Sequence, residues 1–125
     1  MQLTKQRILS VEDDEQVHAL IGELLEQAGY GVTLASTVAD GLRRATSERF
    51  SLIILDYILP DGSGLELCRA IRRFDPHTPI LFFASTAHEI HQQYVIGILA
   101  QGLLLKPLGF YDLVETVNSL LNTCR

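Results

Sequence analysis

The chain has 125 residues, room for one domain with a sizeable core and too few for two. Hydrophobic residues make up 47 % and charged residues 20 %, which excludes a disordered or fibrous chain. A net charge of −5 excludes a broad basic footprint, so direct nucleic-acid binding is not expected.

The first β-rich run covers residues 7–11. It leads into Val17, Leu20, Ile21, Leu24, Leu25 and Ala28, spaced as one helical stripe that stops at Gly29, with Asp14 placed to cap its start. A second run, 31–35, is followed by Thr37 and Asp40, a capping-box pattern opening a helix to about Glu48. The third run, 52–56, contains Leu52-Ile53-Ile54-Leu55, apolar throughout as a strand covered on both faces must be. A helix over 64–73 follows and closes in the turn Asp75-Pro76-His77-Thr78-Pro79. The fourth run, 80–84, is equally apolar and precedes a weaker helical pattern over 87–99. A fifth strand at 102–105 and a fifth helix over 110–121 complete the chain, with Leu113, Val114, Val117, Leu120 and Leu121 inward.

Five βα units imply an α/β fold with a parallel sheet and helices on both faces, because each parallel return needs a right-handed crossover. The flavodoxin-like strand order 2-1-3-4-5 suits five strands best. We expect one domain spanning 1–125 with a core of about 7–121. Cys68 and Cys124 share no metal-binding spacing and read as free thiols. The polar 1–6 segment is no signal peptide, and the longest apolar run, 95–100, is too short to cross a membrane, so a cytoplasmic location is expected.

In such a sheet, ligands bind beyond the carboxyl ends of the strands. There stand Glu12-Asp13, then Asp56, then Ala84-Ser85, and finally Lys106. Each has an ordinary explanation alone: an acidic helix start, a turn residue, a surface lysine. Their joint placement at one sheet edge favours chemistry. Convergent carboxylates repel, and a hard cation such as Mg²⁺ relieves them. Asp13 and Asp56 would bind it directly, Glu12 through water, and the backbone carbonyl of Ile58 would complete the set. Carboxylates, Mg²⁺ and the Lys106 amine suit phosphoryl transfer, with a carboxylate as nucleophile.

The pieces Ile8-Leu9-Ser10-Val11-Glu12-Asp13-Asp14, Ile54-Leu55-Asp56-Tyr57-Ile58-Leu59-Pro60-Asp61-Gly62-Ser63-Gly64 and Lys106-Pro107 stand in an order that resembles the receiver domain of bacterial response regulators. The resemblance implies that Asp56 accepts phosphate from a histidine kinase or histidine phosphotransfer protein in a two-component phosphorelay, with Mg²⁺ required. It implies further that Lys106 contacts the phosphoryl group, and that the domain is not a conventional enzyme. Two positions depart from the family. Ala84 holds the place of the usual Thr or Ser, with Ser85 the one residue able to substitute a hydroxyl. Leu103 holds the place of the usual aromatic switch residue. A degenerate receiver that binds partners without phosphorylation is therefore the alternative.

A phosphatase would want a second carboxylate where Ile58 stands, and a flavodoxin would not place Glu12-Asp13-Asp14-Glu15 in its phosphate loop. Ile58, as an apolar neighbour, would shield an acyl phosphate from water. His18 is expected to have no role, with exposed contact to a kinase as its alternative; His88 and His91 are read as a solvated helix face. The apolar stretches 94–99 and 103–105 read mostly as core, with the face of the fourth helix, fifth strand and fifth helix as the candidate interface for a partner or for a homodimer. The chain is expected to be either a stand-alone regulator or a piece of a larger regulator or hybrid kinase.

Overall fold

The computed structural model describes residues 5–84, 100–106 and 109–122. The expected helix over 87–99, Ser85, His88, His91, Pro107 and Cys124 lie outside the described residues. In chain order the elements are β1 (Arg7–Val11), α1 (Glu15–Gln27), β2 (Gly31–Ala35), α2 (Val38–Ser47), β3 (Leu52–Leu55), β4 (Ile58–Leu59), β5 (Gly62–Ser63), α3 (Gly64–Arg72), β6 (Ile80–Ala84), β7 (Gly102–Leu105) and α4 (Gly109–Asn122).

Five strands form a parallel sheet in the order β2-β1-β3-β6-β7, the arrangement expected from the alternating pattern. Strand alternation splits the core in two. Leu9, Val11, Ile53, Leu55, Phe82 and Ala84 face Leu67, Cys68 and Ile71 of α3. Ile8, Leu52, Ile54, Leu81 and Phe83 face Ile21 and Leu25 of α1 and Leu113 and Val117 of α4. Charged groups are absent from these strand interiors, so the sheet's carboxyl edge concentrates the polar chemistry. Tyr30 and Asn118 tie α4 to the turn after α1 by a side-chain hydrogen bond.

The helix starts follow their capping residues. The Asp14 side chain accepts from the amides of Gln16 and Val17, and Thr37 Oγ1 accepts from Asp40. Asp40 does not reach back to complete a capping box; it pairs with Arg43 and Arg44 instead.

Three expectations need correction. The third strand ends at Leu55, so Asp56 stands just beyond it. The loop after Asp56 contains the two-residue strands β4 and β5, paired antiparallel. The buried stripe of α1 is His18, Ile21, Gly22 and Leu25, rotated from the predicted one, and Leu20 is exposed. His18 is therefore not an exposed contact: it is buried, with Nε2 2.9 Å from the Ser10 carbonyl oxygen.

Candidate functional site

The acidic run after β1 is divided three ways. Glu12 continues the strand ladder, its amide donating to the Ala35 carbonyl at 3.0 Å, and its side chain turns inward until only 2 % of the residue is exposed. Asp13 stays at the exposed rim. Asp14 is occupied by the α1 cap, the ordinary helix-start role. The Asp14 amide in turn donates to Glu12 Oε2 at 3.1 Å.

Asp56 is held by the end of β3, its amide donating to the Val11 carbonyl at 2.9 Å. The adjacent Tyr57 amide donates to Asp56 Oδ1 at 2.8 Å. The Gly64 amide donates to the Tyr57 carbonyl at 2.7 Å, folding the start of α3 tightly against this segment. A Cβ on Gly64 would lie 2.0 Å from the Asp56 carbonyl oxygen, so only glycine permits the approach.

Lys106 follows β7, and its amide donates to the Ala84 carbonyl at 2.8 Å. Its Nζ lies 2.5 Å from Glu12 Oε1 and 3.4 Å from Asp56 Oδ1, and 5.9 Å from the centre of the Phe83 ring. The amine is thus directed into the pocket, where low solvent access strengthens its attraction to both acids. Burial pushes the Asp56 carboxyl up to about 7, reinforced by the charge of Glu12 and a hydrogen bond with it; Lys106 and the Tyr57 amide pull the other way.

Glu12, Asp13 and Asp56 each offer a carboxylate oxygen, all within 4.8 Å of one another. Oxygens on opposite sides of one Mg²⁺ stand about 4.2 Å apart, so this hard-oxygen set is of a size and chemistry that could hold one such ion. The structure therefore brings Glu12, Asp13, Asp56 and Lys106 into one place. Ile58 sits in β4 on the same loop, its side chain 57 % exposed. Ala84 is the last residue of β6, fully buried and opposite Leu105, and provides no side-chain hydroxyl. Leu103 lies opposite Phe82 and is half-buried against the α3-side core. Asp61 was not singled out by sequence reasoning, yet its carboxylate holds the first amides of α2. An aspartate in a Pro-Asp-Gly turn signals a turn and gives no hint of a partner so far back in the chain.

Comparison with known proteins agrees with this geometry. The family profile described as the response regulator receiver domain matches residues 8–118. The uncharacterized transcriptional regulatory protein YkoG of Bacillus subtilis is 34 % identical over 121 residues, covering 95 % of this chain and 52 % of the relative. The response regulator receiver protein CpdR of Brucella abortus is 32 % identical over 115 residues, covering 92 % of this chain and 96 % of the relative. The chain spans about half the length of most of the curated relatives it matches, such as YkoG and the PcoR regulator of Escherichia coli. Among solved structures, a CheY-like receiver domain from Methanospirillum hungatei superposes with a TM-score of 0.87 at 27 % identity, covering 96 % of each chain. TrrA from Thermotoga maritima, solved in complex with Mg²⁺ and BeF, superposes at 0.84 with 29 % identity, covering 92 % of this chain and 98 % of that one.

Proposed function

Because the chain belongs to the response regulator receiver family, we propose that its acidic pocket accepts a phosphoryl group on Asp56 from a phosphohistidine of a histidine kinase or histidine phosphotransfer protein. The observation that supports this most is the Lys106 ammonium, within 3.4 Å of Asp56 and closer still to Glu12, beside the rim carboxylate of Asp13.

A carboxylate oxygen of Asp56 attacks phosphorus in line with the departing imidazole. The P–N bond breaks as the P–O bond forms, and the imidazole leaves with its electron pair. Asp13 and Asp56 would hold Mg²⁺ directly, Glu12 through water, with the Ile58 carbonyl as a further donor. When bound, the ion supplies positive charge that keeps the carboxylates ionised and offsets the charge of the phosphoryl oxygens. Lys106 exchanges part of its contact with Glu12 for a phosphoryl oxygen on Asp56, a short movement from its present place. Tyr57 and Gly64 hold the Asp56 segment still while this happens.

The domain acts as an acceptor and not as a conventional enzyme, with residues 1–125 forming one receiver. Among the described residues no helix is long and apolar enough to cross a membrane, and the cytoplasm is the location that suits a kinase-fed receiver. Pairing of two copies through the side of the sheet that carries β7 and α4 is supported by the exposure of Leu105 and Tyr111 there.

A second reading, a receiver that binds partners without phosphorylation, is favoured by Ala84: its buried methyl group offers no hydrogen bond to a phosphoryl group. Beryllofluoride with Mg²⁺ separates the two. The first reading expects shifts of amide resonances in β6 and β7 that vanish in Asp56→Asn. Spectra unchanged by beryllofluoride would support the second.

A further inference from the structure

The loop carrying Ile58 is anchored in an unusual way for so small an element. A two-stranded hairpin with two residues per strand has little stability of its own in water. Leu59, next to the turn, anchors it in the core, and Asp61, within the turn, ties it to α2. Asp61 Oδ1 accepts from the Val38 amide at 2.7 Å and Oδ2 from the Ala39 amide at 3.0 Å. With Thr37 Oγ1 taking the Asp40 amide, three of the unpaired amides at the start of α2 are held by side chains, two of them from this hairpin. The fit around the tip is close. A Cβ on Gly62, whose φ is +156°, would sit 3.3 Å from Val38 Cγ2 and 3.2 Å from Glu66 Oε1.

The α2 helix is itself seated against the strand that delivers the acids. A Cβ on Gly41 would lie 3.0 Å from Val11 Cγ2 and 2.9 Å from Leu67 Cδ2, and Val11 immediately precedes Glu12 and Asp13. A chain of contacts therefore runs from the acid-bearing end of β1, through α2 and Asp61, to the hairpin beside Asp56. It fixes the two halves of the pocket relative to each other without touching the reacting atoms.

We propose that Asp61 is a positioning residue: by latching the hairpin to the start of α2 it fixes the segment that follows Asp56 and carries Ile58, and so the affinity of the pocket for Mg²⁺. This inference rests on the reading of the acidic pocket as a Mg²⁺ site. Asp61 is exposed, and water can replace its bonds to α2, so its removal loosens the loop more than it harms the fold.

Calorimetric titration of the full chain with magnesium chloride tests it, using wild type, Asp13→Asn, Asp61→Ala and Asp61→Asn, with a melting curve for each. Wild type is expected to bind and Asp13→Asn to bind far more weakly. Asp61→Ala is expected to bind about tenfold more weakly, the lower end of what outer-shell partners contribute, while its melting temperature falls by several degrees, as loss of a helix cap predicts. Asp61→Asn keeps one acceptor for the helix amides and is expected to lose only about threefold. Wild-type affinity in Asp61→Ala, with Asp13→Asn impaired, would overturn the latch and leave the pocket reading standing. Equal losses in both Asp61 variants that disappear in strong salt would also overturn it, by assigning the effect to charge. No binding by wild type, or undiminished binding by Asp13→Asn, would overturn the pocket reading itself. Should Asp61→Ala fail to fold, Asp61→Asn against wild type decides the matter.

Discussion

Replacing Asp56 with asparagine is expected to stabilise the metal-free protein more at pH 8 than at pH 5. The cause is the buried carboxyl, pushed up to about 7 from an ordinary value of 3.8, chiefly by loss of water and then by Glu12. Between those values the folded protein holds a proton that the unfolded chain has released. Asp56 therefore contributes stability that is fully present below about pH 3.8 and is lost as the pH rises through about 7. Asparagine does not titrate, so the difference between the proteins grows over that window. Two pH units, from pH 5 to about 7, correspond to about 3 kcal/mol. Lys106 lies 3.4 Å from the carboxyl and the exposed Asp13 opens the rim to water, so about 1–2 kcal/mol is expected to survive. Urea denaturation of both proteins in EDTA at pH 5, 6, 7 and 8 measures it, since titrating groups remote from the pocket cancel in the difference. A constant difference across that range, or one that moves against Asp56→Asn as the pH rises, would refute the argument from burial.

Lys106→Met is expected to abolish stable phosphorylation, read by hydroxylamine-labile phosphate after phosphodonor treatment. It is also expected to cost up to about 3 kcal/mol in urea denaturation, because Glu12 loses the partner 2.5 Å away. Gly64→Ala is expected to destabilise by about 2–3 kcal/mol, since its methyl group would meet the Asp56 carbonyl oxygen; wild-type stability in the same assay would contradict the close approach. Ala84→Ser adds a hydroxyl at the end of β6 and is expected to enlarge the beryllofluoride-dependent resonance shifts in β7; shifts no larger than wild type would show that the position is not coupled to the pocket.

The sheet was readable because its central strands announce themselves. Leu52-Ile53-Ile54-Leu55 and Ile80-Leu81-Phe82-Phe83 are apolar on both faces, which only a strand between two helical layers requires. The pocket residues were readable because topology brings the ends of β1, β3 and β7 to one edge. What the sequence concealed was finer. Glu12, Asp13 and Asp14 look alike in a row, yet one is buried against Lys106, one lies at the rim and one caps α1. Strands as short as β4 and β5 carry no periodicity. The α1 stripe was misplaced because Leu20 counts as core by type, whereas His18 hides its ring by bonding the Ser10 carbonyl. The role of Asp61 depends on amides at Val38 and Ala39, a long-range pairing that local pattern does not encode.

The central claim is a covalent one and is tested most directly by the mass of the protein. Treatment with acetyl phosphate and Mg²⁺, followed by intact-mass and peptide measurement, is predicted to show one added phosphoryl group, confined to the peptide containing Asp56 and missing from Asp56→Asn. An unchanged mass in wild type, or equal labelling of Asp56→Asn, would contradict the account.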